Sequence, residues 1–564
     1  MTGSGNVSSS SLSIADISDV SDTDLSALSD SETTDSAPAT SHGATANLSS
    51  AFDHQWLKDF TEKCGPLLHS KDSTEIDIFS HFFSPDLTDI LVTETNRYAT
   101  ESVAKSQLGP RSRAHRWTDV TTSDVNGFLA LLILQSVVKL PKYEMYWTTN
   151  SFVELPGIRS LIVRDRFELI LQYLHVADNS CAPPPDDPDR DKLFKIRPML
   201  NHLVHQWQTA FHPRREVSVD ESIVAFKGRS HMVVYKPNKP HKWGINAWVL
   251  ADARSGYVWN MDLYTGRKST TEVGMTKTVV TSLCTPIYGL GHHVYLDNYF
   301  SSPALFQELR DNDVGACGTL RVNRTGVPDR IKTTKLKKPG PTVVERDADD
   351  TLYMIWFDKR QVSLMSTIHN SMTFQKTVRS RGVHGNRRTV EKPMAIELYT
   401  LNMKGVDLAD QLLWYKITQH RQVKWWKKVF FYLLEVSMCN ACTIYRQLHP
   451  EKKVDATKFR LAVAAGLIEC YERQCTRFAR RPTAPPSRLT ERHFLTGNPA
   501  KTPSGKPVKP DCAVCSNRDA KKRHQTTTMC EQCRVPLCPY PCMKRFHTVV
   551  DYKILCSEDY HKAE

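Results

Sequence analysis

The chain has 564 residues, enough for about three or four domains, and 40% hydrophobic with 24% charged residues describe an ordinary globular protein. No stretch reaches the ~18 to 20 uninterrupted apolar residues of a membrane span, and no basic n-region precedes an apolar core at the N-terminus, so a reducing compartment is expected. The net charge of +13 is asymmetric: residues 1–50 hold seven acidic residues and no Lys or Arg, which leaves +20 on the remainder and favours an anionic partner such as nucleic acid.

Residues 1–55 form a Ser-rich acidic segment nearly free of aromatics, which cannot bury enough apolar surface to offset its ordering entropy and is expected to be disordered. Ser21 and Ser29 each have an acid three positions on (Asp24, Glu32) and fit an acidophilic kinase. From about Phe52 to Pro213 the pattern is helical. Residues 86–94, 125–134 and 164–170 carry apolar side chains at helical spacing, the second after the N-cap chemistry of Thr118-Asp119 and Thr122-Ser123-Asp124. The character changes near Glu216, where 216–220, 232–235, 245–250 and 293–296 read as strands and 302–309 as a helix, so the centre is α/β. Residues 323–394 are basic and mix strands with turns; 406–448 are helical again and rich in aromatics. Residues 481–510 read as an extended basic Pro-rich linker whose clusters suit nuclear import.

Seven of the fifteen cysteines lie between Cys512 and Cys556. A CxxC turn offers two thiolates to one tetrahedral zinc, and repeated CxxC pairs favour metal over disulfides. Cys512, Cys515, His524, Cys530, Cys533, Cys538, Cys542 and His547 are eight ligands for two Zn2+ ions in a cross-brace module of the PHD or RING type, spanning 511–556. The pairing is open, and so is whether Cys556 or His561 replaces one of the eight.

Three acids stand out by context. Asp220 ends an alternating strand, Asp297 follows the strand 294–296, and Asp407 opens a helix after Lys404-Gly405-Val406. Carboxylates at strand ends and on a helix can converge at one end of a sheet and bind hard divalent cations, although an acid after a strand is usually a cap or a surface residue.

The wording around these acids is specific. Ser218-Val-Asp-Glu-Ser-Ile-Val-Ala-Phe-Lys-Gly-Arg229, Tyr295-Leu-Asp-Asn-Tyr-Phe300, Cys317-Gly-Thr-Leu-Arg-Val-Asn-Arg-Thr-Gly-Val-Pro328 and Met403-Lys-Gly-Val-Asp-Leu-Ala-Asp-Gln411 resemble the piggyBac transposase family in content, order and spacing. Tyr146-Trp-Thr-Thr149, Arg164-Asp-Arg-Phe167, Lys195-Ile-Arg-Pro198 and the terminal Cys/His module agree, so the resemblance covers residues 70 to 550. It implies an RNase H-like (retroviral-integrase type) α/β catalytic core over 216–322 and 395–415, with Asp220, Asp297 and Asp407 as a DDD triad for two Mg2+ ions. Asp410, one helical turn on, matches a further family acid that supports metal binding, or else it is a solvated helix residue. A β-rich insertion domain falls on 323–394, a helical dimerisation and DNA-binding domain on 70–215 and 416–480, and the zinc module reads transposon-end DNA. The implied protein is a nuclear, homodimeric cut-and-paste transposase that acts on double-stranded DNA through hairpin ends and integrates at TTAA.

Arg321, Asn323 and Arg324 are expected to contact DNA; otherwise they form a capped, solvated turn. Arg421 and Lys424 are expected to bind phosphate beside Trp425 and Trp426, which either stack on unpaired bases or pack in a core. Cys439 and Cys442 share one face of an apolar helix and read as buried core thiols, and His292-His293 as structural. Two other readings remain: a transposase-derived DNA-binding or chromatin protein that no longer mobilises DNA, and a RING or PHD protein, which leaves the central acids unexplained.

Overall fold

The computed structural model describes residues 56–549 and 552, apart from 106, 111, 185, 188–189, 238, 240, 267–273, 380–386, 415–422, 476–492 and 517–522. The acidic tail, Arg421, residues 481–492 of the expected linker, Cys556 and His561 lie outside the described residues. Two compact units emerge, one from Thr61–Pro286 with Asn402–Glu564 and the other from Met1–Phe60 with Ile287–Leu401.

The first unit opens with the short ladder of β1 (Gly65–Pro66) on β2 (Phe211–His212) and six helices, α1 (Glu75–Phe82), α2 (Pro85–Lys105), α3 (Thr122–Val137), α4 (Pro156–Leu161), α5 (Arg164–Tyr173) and α6 (Arg197–Ala210). Capping boxes start two of them: Thr74 with Asp77 on α1, and Thr121 with Asp124 on α3. The α3 cap is thus Thr121, beside the residues the sequence suggested. Late in the chain come α11 (Gly405–Trp414), α12 (Trp425–Leu448) and α13 (Ala456–Cys475). Helix α3 is buried on nearly every face because it packs on α13, while α1 packs on both α12 and α13. Helices from both stretches thus pack on one another within the first unit.

The same unit holds β3 (Glu216–Ala225), β4 (Val233–Tyr235), β5 (Trp243–Asp252) and β6 (Val258–Leu263), all pairing antiparallel with β5, and then α7 (Met275–Cys284). Strand β5 is buried from Gly244 to Asp252 because α7 and α11 both pack on it. A small module carries β14 (Leu495–Gly497) paired with β15 (Thr528–Cys530), and α14 (Cys542–Thr548). It starts inside the stretch expected to be linker, since β14 supplies the partner strand for Cys530.

In the second unit β7 (His293–Leu296) runs parallel to β8 (Gly315–Thr319), joined through α8 (Pro303–Asp311). Gly318 is required at this crossing, because a Cβ there would stand 2.2 Å from Ser301 Oγ and 2.7 Å from the Leu296 carbonyl. Next along the chain are α9 (Asp329–Thr333), β9 (Val343–Arg346), β10 (Leu352–Phe357), β11 (Gln361–Ser366), the hairpin of β12 (Thr373–Arg379) with β13 (Arg387–Pro393), and α10 (Met394–Asn402). The expected insertion is not separate throughout. Strand β11 pairs with β8 at Leu364↔Thr319 and Ser366↔Cys317, so β9, β10 and β11 extend the β7–β8 sheet. The buried run Leu352–Ile355 needs the cover of that shared sheet; β12 and β13 form their own ladder.

Candidate catalytic acids and metal-ligating groups

Asp220 lies on β3, partly buried, and accepts a hydrogen bond from the Glu221 amide at 2.8 Å. Helix α11 packs across β3 and β5. Its first residue is Gly405 because a Cβ there would stand 2.5 Å from Ser218 Oγ and 2.9 Å from the Asp252 carbonyl. That close approach brings the first turn of α11, with exposed Asp407, down onto the strand that carries Asp220.

One turn on, Asp410 is not a solvated helix residue. The Ser222 hydroxyl donates to its Oδ1 at 2.5 Å, and buried Tyr432 on α12 donates to Ser222 Oγ at 2.9 Å. Burial, with the Asp407 charge adding to it, pushes the Asp410 carboxyl up to about 6 against the Ser222 bond and Lys239, whose Nζ lies 3.9 Å away. Lys236 pairs with the Glu221 carboxylate at 2.8 Å and Lys239 donates to the Glu221 carbonyl at 2.8 Å.

Asp297 directly follows β7 in the other unit. Its Oδ1 accepts from the Tyr299 amide at 2.7 Å and the Phe300 amide at 3.3 Å, and its carbonyl accepts from Ser301 Oγ at 2.8 Å. The carboxylate therefore caps its own turn while staying partly exposed. Arg324 and Arg321 hold the same turn: Arg324 Nη2 donates to the Tyr299 carbonyl at 2.6 Å, Arg321 Nε donates to Asn298 Oδ1 at 3.1 Å, and the Arg321 guanidinium lies 5.9 Å from the Tyr299 ring. Asn323 is exposed on the intervening turn.

Among the described residues, the groups of three or more metal-type side chains with ligand atoms within 4.8 Å of one another are two: Cys512, Cys515, Cys538 and Cys542, and His493, Cys530, Cys533 and His547. The pairs alternate along the chain, which is the cross-brace order. His524 joins neither group and is replaced by His493. Its carbonyl accepts from the Cys512 amide at 2.8 Å and its amide donates to Ser516 Oγ at 2.8 Å, so it serves the CxxC turn through its backbone. Sequence reasoning missed His493 because it stands alone, 37 residues before Cys530, and only the β14–β15 pairing brings it in. Its Nδ1 lies 3.5 Å from Cys530 Sγ and 3.4 Å from Cys533 Sγ, and its ring stacks on His547 with centroids 4.2 Å apart. In the four-sulfur group, hydrogen bonding from Cys542 holds Cys512 down to about 4 while burial pushes Cys515 up to about 12.

The start of α12 divides in use. Lys424 is exposed, its Nζ 5.2 Å from the Tyr98 ring and 3.4 Å from Tyr98 Oη. Trp426 is only 2% exposed and packs by His175 with centroids 4.8 Å apart, which makes it a core residue. Lys427 is buried with it, donating to the α5 carbonyls of Leu171 and Gln172, and burial holds its ammonium down to about 7. Cys439 and Cys442 belong to the interior, where burial pushes Cys439 up to about 12. His292 and His293 are buried, and His292 packs edge-on against Phe60 with centroids 4.8 Å apart. No described helix is long and apolar enough to cross a membrane.

The sheet with its strand and helix carboxylates and the Cys/His module belong to a chain that comparison with known proteins assigns to the transposase class. The family profile described as Transposase IS4 matches residues 74–442, and that described as DDE_Tnp_1-like zinc finger matches 496–548. A human protein named PiggyBac transposable element-derived protein 2 is 26% identical over 411 residues, covering 71% of this chain and 66% of the relative, a little under two thirds of its length. Human PiggyBac transposable element-derived protein 3 is 25% identical over 485 residues, covering 84% of this chain and 76% of the relative. The fold is similar to a piggyBac transposase solved by cryo-EM as a synaptic complex with hairpin DNA, with a TM-score of 0.66, 19% identity, and coverage of 86% of this chain and 99% of that one. The chain belongs to the piggyBac-type transposase family, and its C-terminal module is a zinc-finger domain.

Proposed function

We propose that this protein is a metal-dependent cut-and-paste DNA transposase, nuclear and homodimeric, that binds transposon terminal repeats, excises through hairpin ends and integrates at TTAA. The observation that carries this reading is the seating of α11 by Gly405 on the strand of Asp220, which sets Asp407 and Asp410 beside β3. Asp220 and Asp407, with Asp297 assigned to the same role by its motif, are the residues that would hold two Mg2+ ions in an RNase H-like core. Carboxylate oxygens are the donors a hard cation takes, and the rise at Asp410 comes first from burial, with the Asp407 charge adding to it. When bound, such ions activate an attacking oxygen and stabilise the leaving one in phosphoryl transfer.

The protein's own side chains supply the rest. Ser222 and Tyr432 fix Asp410 and hence the pitch of α11. Arg324 and Arg321 fix the Asp297 turn and present positive charge to phosphates there, with Asn323 on the same turn. Lys424, and Arg421 by its place in the sequence, extend the positive surface. Each Cys/His group would hold one Zn2+, the fit of soft sulfur and imidazole donors to that ion, and the module would read end DNA.

The relatives' names, which describe proteins derived from transposable elements, favour a second reading, a DNA-binding protein that no longer mobilises DNA. A plasmid excision assay with the element's own terminal repeats separates the two. Precise restoration of a single TTAA, lost in Asp297→Asn, supports the transposase; binding to the ends without excision supports the second reading.

A further inference from the structure

Strands β4 and β5 carry a feature that neither the acids nor the zinc module uses. Tyr235 and Trp243 stand directly opposite each other in the ladder, and the Lys236 amide donates to the Lys242 carbonyl at 2.7 Å just beyond them. Their rings lie 4.8 Å apart at 46°, yet Tyr235 is 50% and Trp243 47% exposed. Paired aromatics normally bury their faces; here the ladder leaves both rings about half exposed.

The surroundings select an anion. Lys227, Arg229 and Lys242 are exposed and make no ion pair among the described residues, and His241 faces Lys227 and Lys428 closely enough that both help hold its imidazole below the usual range, after burial. Lys236 pairs with the carboxylate of Glu221, the residue after Asp220, and Lys239 meets the Glu221 carbonyl and Asp410, so the ribbon is tied to the strand of the first candidate catalytic acid.

We propose that the Tyr235–Trp243 pair is a stacking platform for an unpaired nucleotide of the DNA, with Lys227, Arg229 and Lys242 holding the flanking phosphates. The inference rests on the transposase reading, since a reaction through hairpin ends must unstack bases near the acids. Aromatic stacking tolerates any base, and a positive rim tracks the backbone.

The test uses the purified full chain and two oligonucleotides that share one stem, one blunt and one closed by a short unpaired loop containing 2-aminopurine. The expected result is that the wild type binds the looped probe about tenfold more tightly and quenches its fluorescence. Tyr235→Ala combined with Trp243→Ala should abolish both the preference and the quenching while blunt-probe affinity stays, and the double Phe variant should retain both. A preference that survives the Ala pair, a loss that is equal for both probes, or a wild type that does not discriminate overturns the platform. A wild type that binds neither probe overturns it together with the DNA reading itself. Failure of excision with the loop preference intact removes only the catalytic proposal.

Discussion

Ser222→Ala tests whether Asp410 is a held residue. The substitution removes the hydroxyl that donates to Asp410 Oδ1 at 2.5 Å and accepts from Tyr432 Oη at 2.9 Å. A hydrogen bond to a charged acceptor contributes about 1.5–3 kcal/mol, and a buried hydroxyl left unpartnered costs about 1–3 kcal/mol. Ser222 is 2% and Tyr432 4% exposed, so water cannot readily replace the lost partner. Ser222→Ala should therefore destabilise by roughly 3 kcal/mol, read as accelerated amide exchange across α11 and a lower first melting transition. Tyr432→Phe alone should cost about 1 kcal/mol, and adding it to Ser222→Ala should recover about 1–2 kcal/mol, because no orphan hydroxyl then remains. Ser222→Ala within about 0.5 kcal/mol of wild type, or strictly additive single changes, would refute the reasoning.

The zinc assignment predicts that His493→Ala lowers bound zinc from two ions to about one per chain by elemental analysis, whereas His524→Ala leaves it unchanged; the reverse outcome restores His524 as a ligand. Stability should fall with pH through His175. Burial holds its folded-state pKa at about 4, so between the ordinary value near 6.5 and that point only the unfolded chain takes the proton. The loss should approach roughly 3 kcal/mol by pH 4 in denaturant titrations and flatten in His175→Phe; a pH-independent wild type contradicts it. Trp426→Ala should cost about 3–5 kcal/mol as a core cavity. Lys424→Ala should leave melting unchanged but weaken DNA binding and lower its salt slope by about one; if the Trp change alone affected DNA binding in a stably folded chain, the two roles would be exchanged.

Much was legible in the sequence because its signals were local. The alternation of 216–220, the helical spacing of 125–134 and the CxxC pairs each declare themselves within a few residues, and the motif wording around Asp220, Asp297 and Asp407 identifies the family. Spacing also favoured core thiols at Cys439 and Cys442, since an apolar helix face leaves a thiol little reason to ionise.

What the sequence could not decide depended on partners far along the chain. Isolated His493 joined a metal-type group because a distant strand, Thr528–Cys530, pairs with Leu495–Gly497 beside it. His524, well placed in sequence, joins neither metal-type group among the described residues and serves the Cys512 turn through its backbone. Asp410 changed from an open choice to a partly buried acceptor through Ser222, 188 positions away, and Trp426 was assigned to the core by packing against His175. Residues 343–366 joined a sheet because β8 offered an edge to Leu364–Ser366. Local pattern sets which elements form and which chemistry the side chains carry; only tertiary packing sets which donors meet, because hydrogen bonds and metal geometry act over a few ångströms and sequence separation carries no such distance.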